Sequence, residues 1–415
     1  MSGIRPVQRS RRFLLVILLV SSYSTIFLGT GSAQTVEWLR QFGSSVADSG
    51  SGVAVDSTGV YVVGSTYGAL PGQRNAGLSD VYLQKFDTNG TAVWTRQFGT
   101  GANDIGNGVA ADSSGVYVVG STVGTLPNQT TAGFTDAFVR KYDSYGTELW
   151  TRQFGSTNFG TDEALGVAVD ATGVYVVGRT NGALFGQTQG STNIDDAFIR
   201  KYDLNGTELW TRQFGTAGQD YARGVAVDST GVYVSGFTSA ALPGQTSSGQ
   251  NDAFLRKYNS SGTEVWTRQF GTSLNDDAYS VAVSPSGIYV GGQTLGTLPG
   301  QTTAGNYDAF VRKYDTSGTA LWTRQFGSTG NENVLTLGAD ASGVYAGGAV
   351  FGALPGQTGA GAFDAFVRMY DSSGTEKWTR QLGTAGDDQV FGITASGGAV
   401  FVGGYAGGAD RKSVV

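Results

Sequence analysis

Four kinds of short run, rich in Val, Tyr, Phe and Trp and bounded by Gly, Asp, Ser or Pro, recur along the chain. Examples are residues 166–170, 173–178, 136–143 and 149–155. Runs of this length and composition are typical of β-strands, and no helical periodicity of useful length accompanies them after the N-terminal region. The pattern therefore predicts an all-β fold built from a repeated four-stranded unit.

The connections between these runs alternate in length. The first and second runs are joined by tight Asp-x-x-Gly turns, as at residues 56–59, and the third and fourth by similar turns, as at 371–375. The other two connections, such as 65–80 and 216–220, are longer. In an up-and-down antiparallel unit both long connections lie at one end of the strands, so we expect a long-loop face opposite a tight-hairpin face.

The spacing of the tryptophans gives the length of the repeat, because successive tryptophans are 56 residues apart except for one gap of 60. A fixed period of this size indicates a propeller or a solenoid. Seven units of four antiparallel strands predict a seven-bladed β-propeller, in which each blade buries both faces against its neighbours. The tryptophans are Trp38, Trp94, Trp150, Trp210, Trp266, Trp322 and Trp378.

The two ends of the repeat array are incomplete. Residues 36–42 form a lone outer strand, and the last copy has no Asp-Ala-Phe-Val-Arg-Lys-Tyr-Asp run, since only residues 410–412 resemble it. We therefore expect a propeller domain over 34–415, closed by the strand 36–42 joining the C-terminal blade.

Residues 1–33 differ from the rest of the chain. A start with Arg5, Arg9, Arg11 and Arg12 precedes the apolar run 13–20, and small residues end at Ala33. This order predicts a signal peptide over 1–33 and a secreted protein, extracellular or periplasmic, with no membrane contact beyond the cleaved signal. A retained membrane anchor is the alternative interpretation.

The amino-acid composition excludes several kinds of catalytic and metal site. The chain has no cysteine and no histidine, which excludes disulfides, Cys/His zinc sites and imidazole-dependent catalysis. Its net charge of −6 and the absence of a basic stripe argue against nucleic acid as a partner. Each Asp-x-x-Gly turn has too few carboxylates for calcium, so neither a metal nor a cofactor is expected. We expect a monomer.

The repeated motifs G-V-A-V-D-x-x-G-V-Y-V-x-G, L-P-G-Q-T, D-A-F-V-R-K-Y-D and W-T-R-Q-F-G resemble the SBBP repeat, a bacterial β-propeller family. This resemblance covers nearly all of the chain after residue 35 and implies a propeller in a secreted or cell-surface setting. Residues 143–150 are also similar to the tryptophan-docking repeat of quinoprotein dehydrogenases. Those enzymes have eight blades and often a vicinal cysteine pair, so the resemblance does not extend to a quinone cofactor here.

Carboxylates precede the predicted innermost strands at a regular spacing from the tryptophans. They could ring the mouth of a central channel and bind a cation or a cationic ligand, or each could cap its own loop by accepting backbone N–H bonds. The set comprises Asp48, Asp104, Asp162, Asp220, Asp276, Glu332 and Asp388.

A second set of candidates consists of residues that differ from their counterparts in the other copies. The unit with the 60-residue period has longer loops and carries Arg179 where the two preceding copies have serine. Such differences indicate either a binding surface on loops held by a rigid scaffold or neutral drift. The aromatic candidates are Tyr67, Phe134, Phe159, Tyr221, Tyr307, Phe351 and Phe363.

Two functions fit this sequence. The first is a non-catalytic binding or scaffold propeller that recognises a protein or a glycan through the long-loop face. The second is a glycosidase or polysaccharide lyase on the same face, since a glycosidase needs only two suitably placed carboxylates. No acid pair stands out from the repeat pattern, which favours the binding protein.

Overall fold

The computed structural model describes residues 14–17, 35–157, 160–191, 194–407 and 411–414. Its strands form six antiparallel sheets of four strands each and one sheet of six strands. In every four-stranded sheet the spatial order of the strands follows the chain order, as expected for up-and-down blades.

In the first three blades the strands follow chain order from the inner to the outer edge. Blade one contains β4 (Asp48–Asp56), β5 (Gly59–Thr66), β6 (Asp80–Phe86) and β7 (Ala92–Phe98). Blade two contains β8 (Asp104–Asp112), β9 (Gly115–Thr122), β10 (Asp136–Tyr142) and β11 (Glu148–Phe154). Blade three contains β12 (Asp162–Asp170), β13 (Gly173–Thr180), β14 (Asp196–Tyr202) and β15 (Glu208–Phe214).

The next three blades repeat this arrangement. Blade four contains β16 (Asp220–Asp228), β17 (Gly231–Thr238), β18 (Asp252–Tyr258) and β19 (Glu264–Phe270). Blade five contains β20 (Asp276–Ser284), β21 (Gly287–Thr294), β22 (Asp308–Tyr314) and β23 (Ala320–Phe326). Blade six contains β24 (Glu332–Asp340), β25 (Gly343–Phe351), β26 (Phe363–Asp371) and β27 (Glu376–Leu382).

The expectation of seven such blades is wrong, because only six sheets are four-stranded blades. The remaining sheet combines β28 (Asp388–Ser396) and β29 (Ala399–Gly407) with β30 (Arg411–Val414), β3 (Gln41–Phe42), β1 (Leu14–Ile17) and β2 (Thr35–Val36). The physical reason is the missing third run in the last copy. Along the outer edge of β29, β1 pairs with residues 399–402 and β30 with residues 404–407.

The signal peptide expected at 1–33 is not supported. Within that range the structure describes Leu14–Ile17, and this strand pairs in parallel with β29 and with β2. The rest of the range lies outside the described residues. At the opposite edge, β3 pairs antiparallel with β30, so residues from both ends of the described chain share one sheet.

The seams between blades hold the core. In the middle strands of a blade nearly every residue is buried, for example all eight of β9 and all seven of β10, because neighbouring blades cover both faces. Phe98 of the outer strand β7 meets Phe138 of β10 edge-on at 5.7 Å between ring centroids. Full burial of such a side chain contributes about 1.5–3 kcal/mol.

Each outer strand also binds the next blade through its W-T-R motif. The Trp94 indole donates a hydrogen bond to the Ser144 carbonyl oxygen at 3.1 Å, and Arg96 Nε donates to the Gly146 carbonyl oxygen at 2.6 Å. Residues before blade one make the same contacts, since Trp38 donates to the Thr88 carbonyl oxygen at 3.0 Å. The repeated motif is therefore a docking element between blades.

Candidate functional site

The long loops lie together at one end of the inner strands. Main-chain hydrogen bonds join the two loop sets, as from the Tyr67 N–H to the Ala47 carbonyl oxygen at 3.0 Å and from the Val123 N–H to the Asn103 carbonyl oxygen at 3.0 Å. The tight hairpins close the opposite end of the same strands. We call the first end the long-loop face.

A central channel of about 570 Å³ runs between the inner strands β4, β8, β12, β16, β20, β24 and β28. Each of these strands is irregular two to four residues after its first position, where one residue is left without a partner on the neighbouring strand. Such a β-bulge turns the extra side chain away from the regular alternation. Seven bulge residues consequently line the channel: Ser51, Asn107, Leu165, Arg223, Tyr279, Leu335 and Phe391.

These bulge residues were missed in the sequence prediction. Six residue types occupy these seven positions, whereas the five residues that follow read G-V-A-V-D or G-V-A-A-D in the first four copies. This contrast is the signal that could have found them. A second variable position lies two residues earlier on the same side of each strand, closer to the long-loop face. Its members are Ser49, Ile105, Glu163, Tyr221, Asp277, Asn333 and Gln389.

Charged and aromatic members of both sets gather in blades three to five. Arg179 Nε donates to Glu163 Oε2 at 2.9 Å, and its Nη1 donates to Asp195 Oδ2 at 2.7 Å. Tyr221 OH donates to the same Asp195 oxygen at 2.7 Å. We call Glu163, Arg179, Asp195 and Tyr221 the Arg179 cluster. Two sequence candidates, Arg179 and Tyr221, are brought together in it.

The electrostatics of the Arg179 cluster favour the ion pairs. Burial alone would raise the pKa of Asp195, but hydrogen bonds from Tyr221 and Asn181 and the charge of Arg179 bring that pKa below its usual range. The pKa of Arg179 is raised, because Glu163 and Asp195 outweigh its burial. Both carboxylates are therefore held by a cation that remains charged at neutral pH.

Arg223 stands beside this cluster in a different environment. Its guanidinium carbon lies 5.5 Å from the ring centroid of Tyr221, 5.6 Å from that of Phe237 and 5.1 Å from that of Tyr279. Tyr221 and Phe237 are themselves in contact, with centroids 4.7 Å apart. We call these four residues the Arg223 cage.

The cage lacks a polar partner for its cation. Arg223 Nε is buried and has no hydrogen-bond partner, and no ion pair is formed by Arg223 within the described parts of the chain. The neighbouring Asp277 is occupied by other donors, from Gln293 at 3.0 Å, Asn251 at 3.2 Å and Tyr279 at 3.3 Å. The channel therefore presents an aromatic-lined cation that is free to bind.

The predicted acidic ring occupies the first positions of the inner strands. All seven side chains are buried, with exposures of 0 to 6%. Asp104 is typical, since its Oδ2 accepts hydrogen bonds from the Thr100 N–H at 2.6 Å and the Thr100 hydroxyl at 3.0 Å. These contacts match the loop-capping alternative. Equivalent bonds are made by Asp48, Asp162, Asp220, Asp276, Glu332 and Asp388.

Burial changes the acidity of most of these carboxyl groups. It raises the pKa of Asp220 to about 6 and that of Asp388 to about 6, with hydrogen bonds from the capped loops acting in the opposite sense. The pKa of Asp104, Asp162, Asp276 and Glu332 is raised for the same reason.

The aromatic side chains predicted as candidates differ in how exposed they are on the long-loop face. Tyr67, Phe134 and Phe351 are 56%, 59% and 47% exposed. Phe351 and Phe363 face each other across neighbouring strands with centroids 5.4 Å apart. Tyr307 is partly buried, and its hydroxyl accepts a 3.4 Å hydrogen bond from Asn275.

Phe159 lies outside the described residues. Tyr221 is the member of the predicted aromatic set that belongs to the channel clusters, while Tyr67, Phe134 and Phe351 project from the rim.

Two features of the site bear on catalysis, namely its metal-ligating side chains and the acidity of its carboxyl groups. Among the residues that the structure describes, no three metal-ligating side chains come together. A glycosidase requires a carboxylic acid whose pKa is raised so that it can donate a proton. Asp195 has a lowered pKa and pairs with Arg179. Asp220 and Asp388 have raised pKa values, but both are buried and accept hydrogen bonds from their own loops. Within the same described ranges, no helix has the length and apolar character needed to span a bilayer.

Comparison with known proteins agrees with this architecture. Residues 37–71 and 93–126 match the SBBP β-propeller repeat. The chain is 30% identical over 322 residues to the regulatory protein FlaEY of Caulobacter vibrioides, covering 68% of this chain and 34% of that protein. It is 24% identical over 277 residues to the uncharacterised WD repeat-containing protein L264 of Acanthamoeba polyphaga mimivirus, covering 49% of this chain and 19% of that protein. The chain thus spans only part of these relatives, 34% of the first and 19% of the second.

Solved propeller structures resemble the chain at low identity. The β-propeller domain of the trilobed protease from Pyrococcus furiosus has 9% identity and a TM-score of 0.46, over 89% of this chain and 92% of that one. Sqt1 from Chaetomium thermophilum has 14% identity and a TM-score of 0.44, over 85% and 76% of the two chains. The fold assignment rests on the strand pairing described above. With its matched repeats and its four-stranded blades, the chain carries the SBBP β-propeller repeat.

Proposed function

We propose that this propeller is a non-catalytic binding or scaffold protein that recognises a protein or a glycan through its long-loop face and the adjoining channel mouth. One observation carries the proposal. Differences between the copies are concentrated at the bulge residues, at the second channel position and in the long loops, whereas the seam motifs and hairpins are nearly constant. A surface that varies on a constant scaffold is where recognition is expected.

The rigidity of that surface supports binding. The rim aromatics Tyr67, Phe134 and Phe351 are exposed but anchored at strand ends, so they lose little conformational freedom when a ligand covers them. Exposed aromatics of this kind often supply most of the binding free energy. The relative from Caulobacter is named a regulatory protein, and partner binding is compatible with that name.

An extracytoplasmic location belongs to the same proposal. It rests on the resemblance of the repeats to a family expected in a secreted or cell-surface setting. Cell fractionation of the natural host should find the protein in the periplasm, on the surface or in the medium. Recovery from the cytoplasm alone would contradict this part of the proposal.

The binding proposal is tested with the full chain on an array of neutral and acidic oligosaccharides and, in parallel, on a displayed random-peptide library. We expect specific binders from one of the two, without release of reducing ends from the oligosaccharides. Changing Tyr67 and Phe134 together to Ala should weaken that binding by about 1–3 kcal/mol while leaving the melting temperature almost unchanged.

The matched control is the pair Ser57→Ala and Ser113→Ala, which alters the opposite, tight-hairpin face. These changes should leave binding intact. If binding is lost in the hairpin variants and kept in the aromatic variants, the site lies on the tight-hairpin face and the face assignment is wrong. If neither collection yields a binder, the proposal is overturned. Release of reducing ends would instead favour the glycosidase alternative.

A further inference from the structure

We infer that the Arg223 cage binds the carboxylate of a uronic acid, either free or at the end of an oligosaccharide, within the central channel. This inference rests on the proposed function, because it names the ligand class of the same channel mouth. It depends on three observations: the bulge that places Arg223 in the channel, the missing hydrogen-bond acceptor for its Nε, and the residues that line the channel around it.

The fold aims Arg223 into the channel. Arg223 is the bulge residue between Ala222 and Gly224 on β16, so it is left out of the regular pairing with β17 and lines the cavity. Gly224 is needed there, because a Cβ at this position would lie 2.9 Å from the backbone of Ser280 in the next blade. The close approach of the two strands fixes the backbone that carries the guanidinium.

The unmet hydrogen-bonding capacity of Arg223 indicates an anionic partner. Arg179 of the neighbouring blade is already paired with Glu163 and Asp195. The outer-strand arginines are occupied by carbonyl oxygens, as when Arg212 Nε donates to the Gly262 carbonyl oxygen at 2.8 Å. Arg223 has aromatic contacts but a buried Nε without an acceptor. A guanidinium in this state fits a carboxylate, which accepts two parallel hydrogen bonds from it.

Arg312 Nε is also buried without a hydrogen-bond partner, but Arg312 differs from Arg223 in its location. Arg312 stacks at 4.6 Å on Phe270 in the seam between blades four and five, where it is not part of the channel lining. Arg223 is the channel-lining arginine among the described residues, so a ligand can reach it.

The remaining channel residues favour a sugar as the body of the ligand. Tyr279 and Phe391 provide aromatic surface of the kind that stacks on the C–H face of a pyranose, and Asn107 and Ser51 provide amide and hydroxyl groups for its hydroxyls. The cavity of about 570 Å³ is within the usual range for small-ligand sites.

The negative charge of the protein limits the number of carboxylates that the ligand can carry. The chain has a net charge of −6, and Glu163, Asp195 and Asp277 lie near the channel mouth. A polyanion would be repelled by this field, whereas one carboxylate placed on Arg223 would not. A single uronate residue with neutral hydroxyls satisfies both conditions.

The test measures binding of D-glucuronate and D-galacturonate to the full chain by isothermal titration calorimetry, with D-glucose, sodium acetate and the methyl ester of D-glucuronic acid as comparison ligands. We expect one uronate to bind, and the uncharged ester and glucose to bind about 10- to 100-fold more weakly, as for loss of a charge-assisted hydrogen bond. Because the ester removes the charge from the ligand, this arm does not depend on any variant folding.

The protein-side arm replaces Arg223 by Met, which keeps length and removes charge, with Arg74→Met as the matched control on an exposed loop arginine. We expect Arg223→Met to lose uronate binding about 10- to 100-fold and Arg74→Met to keep it. Equal binding of the ester and the uronate, or equal loss in both variants, would overturn the inference. Acetate binding as tightly as the uronate would overturn the sugar as ligand class.

The outcome also separates this inference from the proposed function. If neither uronate binds while the array or the peptide library yields a ligand that depends on Tyr67 and Phe134, the carboxylate site is wrong and the binding proposal stands. If no ligand of any kind is found, both fail. An acidic peptide that binds through Arg223 in place of a uronate would likewise refute the uronate assignment.

Discussion

A single neighbouring residue decides whether a seam arginine is fully paired. In blade two, Arg140 Nε donates to the Thr151 hydroxyl at 2.8 Å, Thr151 donates to Glu148 Oε1 at 2.6 Å, and Arg140 Nη1 lies 3.3 Å from Glu148 Oε2. Blades three, four and six contain the same triad. In blade five Ala320 replaces the glutamate, and Arg312 Nε is left without a partner. The arginine position tolerates this loss because stacking on Phe270 remains.

Restoring the acid in blade five should stabilise the protein. We expect Ala320→Glu to raise the free energy of unfolding by about 1 kcal/mol, because it gives Arg312 and Thr323 the partner present in the other blades while the new carboxylate stays half exposed. Urea unfolding followed by tryptophan fluorescence measures this. Ala92→Glu is the control, since blade one has Gln84 in place of the arginine and the same change should give no gain there.

At the scale of elements, the Asp-x-x-Gly hairpin is both a turn and a docking surface. Asp143 Oδ1 accepts the Tyr145 N–H at 2.9 Å and the Thr147 N–H at 2.8 Å, which shapes the loop between β10 and β11. Gly146 then takes a φ of 79°, a left-handed conformation that suits glycine. The Trp94 ring of the preceding blade packs directly on this glycine.

Two glycines of similar φ allow the turn conformation of the hairpin to be tested separately from its contact with tryptophan. A Cβ on Gly146 would lie 2.9 Å from the Trp94 ring, whereas a Cβ on Gly72, with a φ of 73°, would meet nothing within 4 Å. We expect Gly72→Ala to cost about 1 kcal/mol from the backbone alone, and Gly146→Ala to cost more than about 2 kcal/mol because Trp94 is displaced as well.

Thermal unfolding and the tryptophan emission maximum check the glycine prediction. The emission maximum should change in Gly146→Ala and stay constant in Gly72→Ala. Equal destabilisation by the two substitutions would show that the indole contact contributes nothing to the seam.

At the scale of the whole molecule, the six blades and the β28–β29 hairpin form one closed ring. The inner strand β28 packs between β24 of blade six and β4 of blade one. The six-stranded sheet joins the described ends of the chain, because β30 connects β29 to β3. Phe42 from that sheet packs on Tyr82 at 5.5 Å and on Phe86 at 5.7 Å in blade one. Closure thus depends on short strands and a few aromatic contacts.

We propose that residues 36–42, which include the end of β2 and all of β3, close the ring, and a deletion tests this. Removal of residues 34–43 should lower the melting temperature and broaden the unfolding transition, because Trp38 and Phe42 no longer cover blade one. The double change Trp38→Ala and Phe42→Ala should act in the same direction with less effect. A melting curve unchanged by the deletion would rule the closing role out.

The inner-strand carboxyls give the molecule an unusual pH dependence. Because their folded pKa values are raised, to about 6 for Asp220 and Asp388, the folded state binds more protons than the unfolded state between about pH 4 and 6. Their contribution is therefore complete below the unfolded pKa and lost as the pH rises through 6. The partly exposed turn carboxyls Asp143 and Asp203, with lowered pKa values, act in the opposite sense at lower pH.

We accordingly expect the melting temperature to be higher at pH 5 than at pH 7.5. Asp220→Asn, which imitates the protonated group, should reduce this difference, whereas Asp203→Asn should leave it unchanged. Differential scanning calorimetry at the two pH values measures both effects. A melting temperature that rises from pH 5 to 7.5 in the natural sequence would contradict the assigned direction.

The sequence by itself determined the features that are local or that must match between copies. Strand positions follow from the alternation of residues, and hairpins from Asp and Gly at fixed places. The seam contacts follow from the repeated W-T-R-Q-F-G motif, since each blade has to dock on the next. The family and the all-β propeller fold could therefore be predicted. The choice between a channel ring and loop caps for Asp104 and its counterparts stayed open, because burial depends on how neighbouring loops fold over the carboxylate.

Only the tertiary structure decided how the array ends and what faces the channel. The number of complete blades is six because the last copy lacks a third run and is completed by strands from elsewhere in the chain. Arg223, Tyr279 and Phe237 belong to different strands and come together only when bulged inner strands are arranged in a ring. Sequence spacing carries no information on such convergence, since it depends on ring closure and on which side of a bulge each side chain emerges.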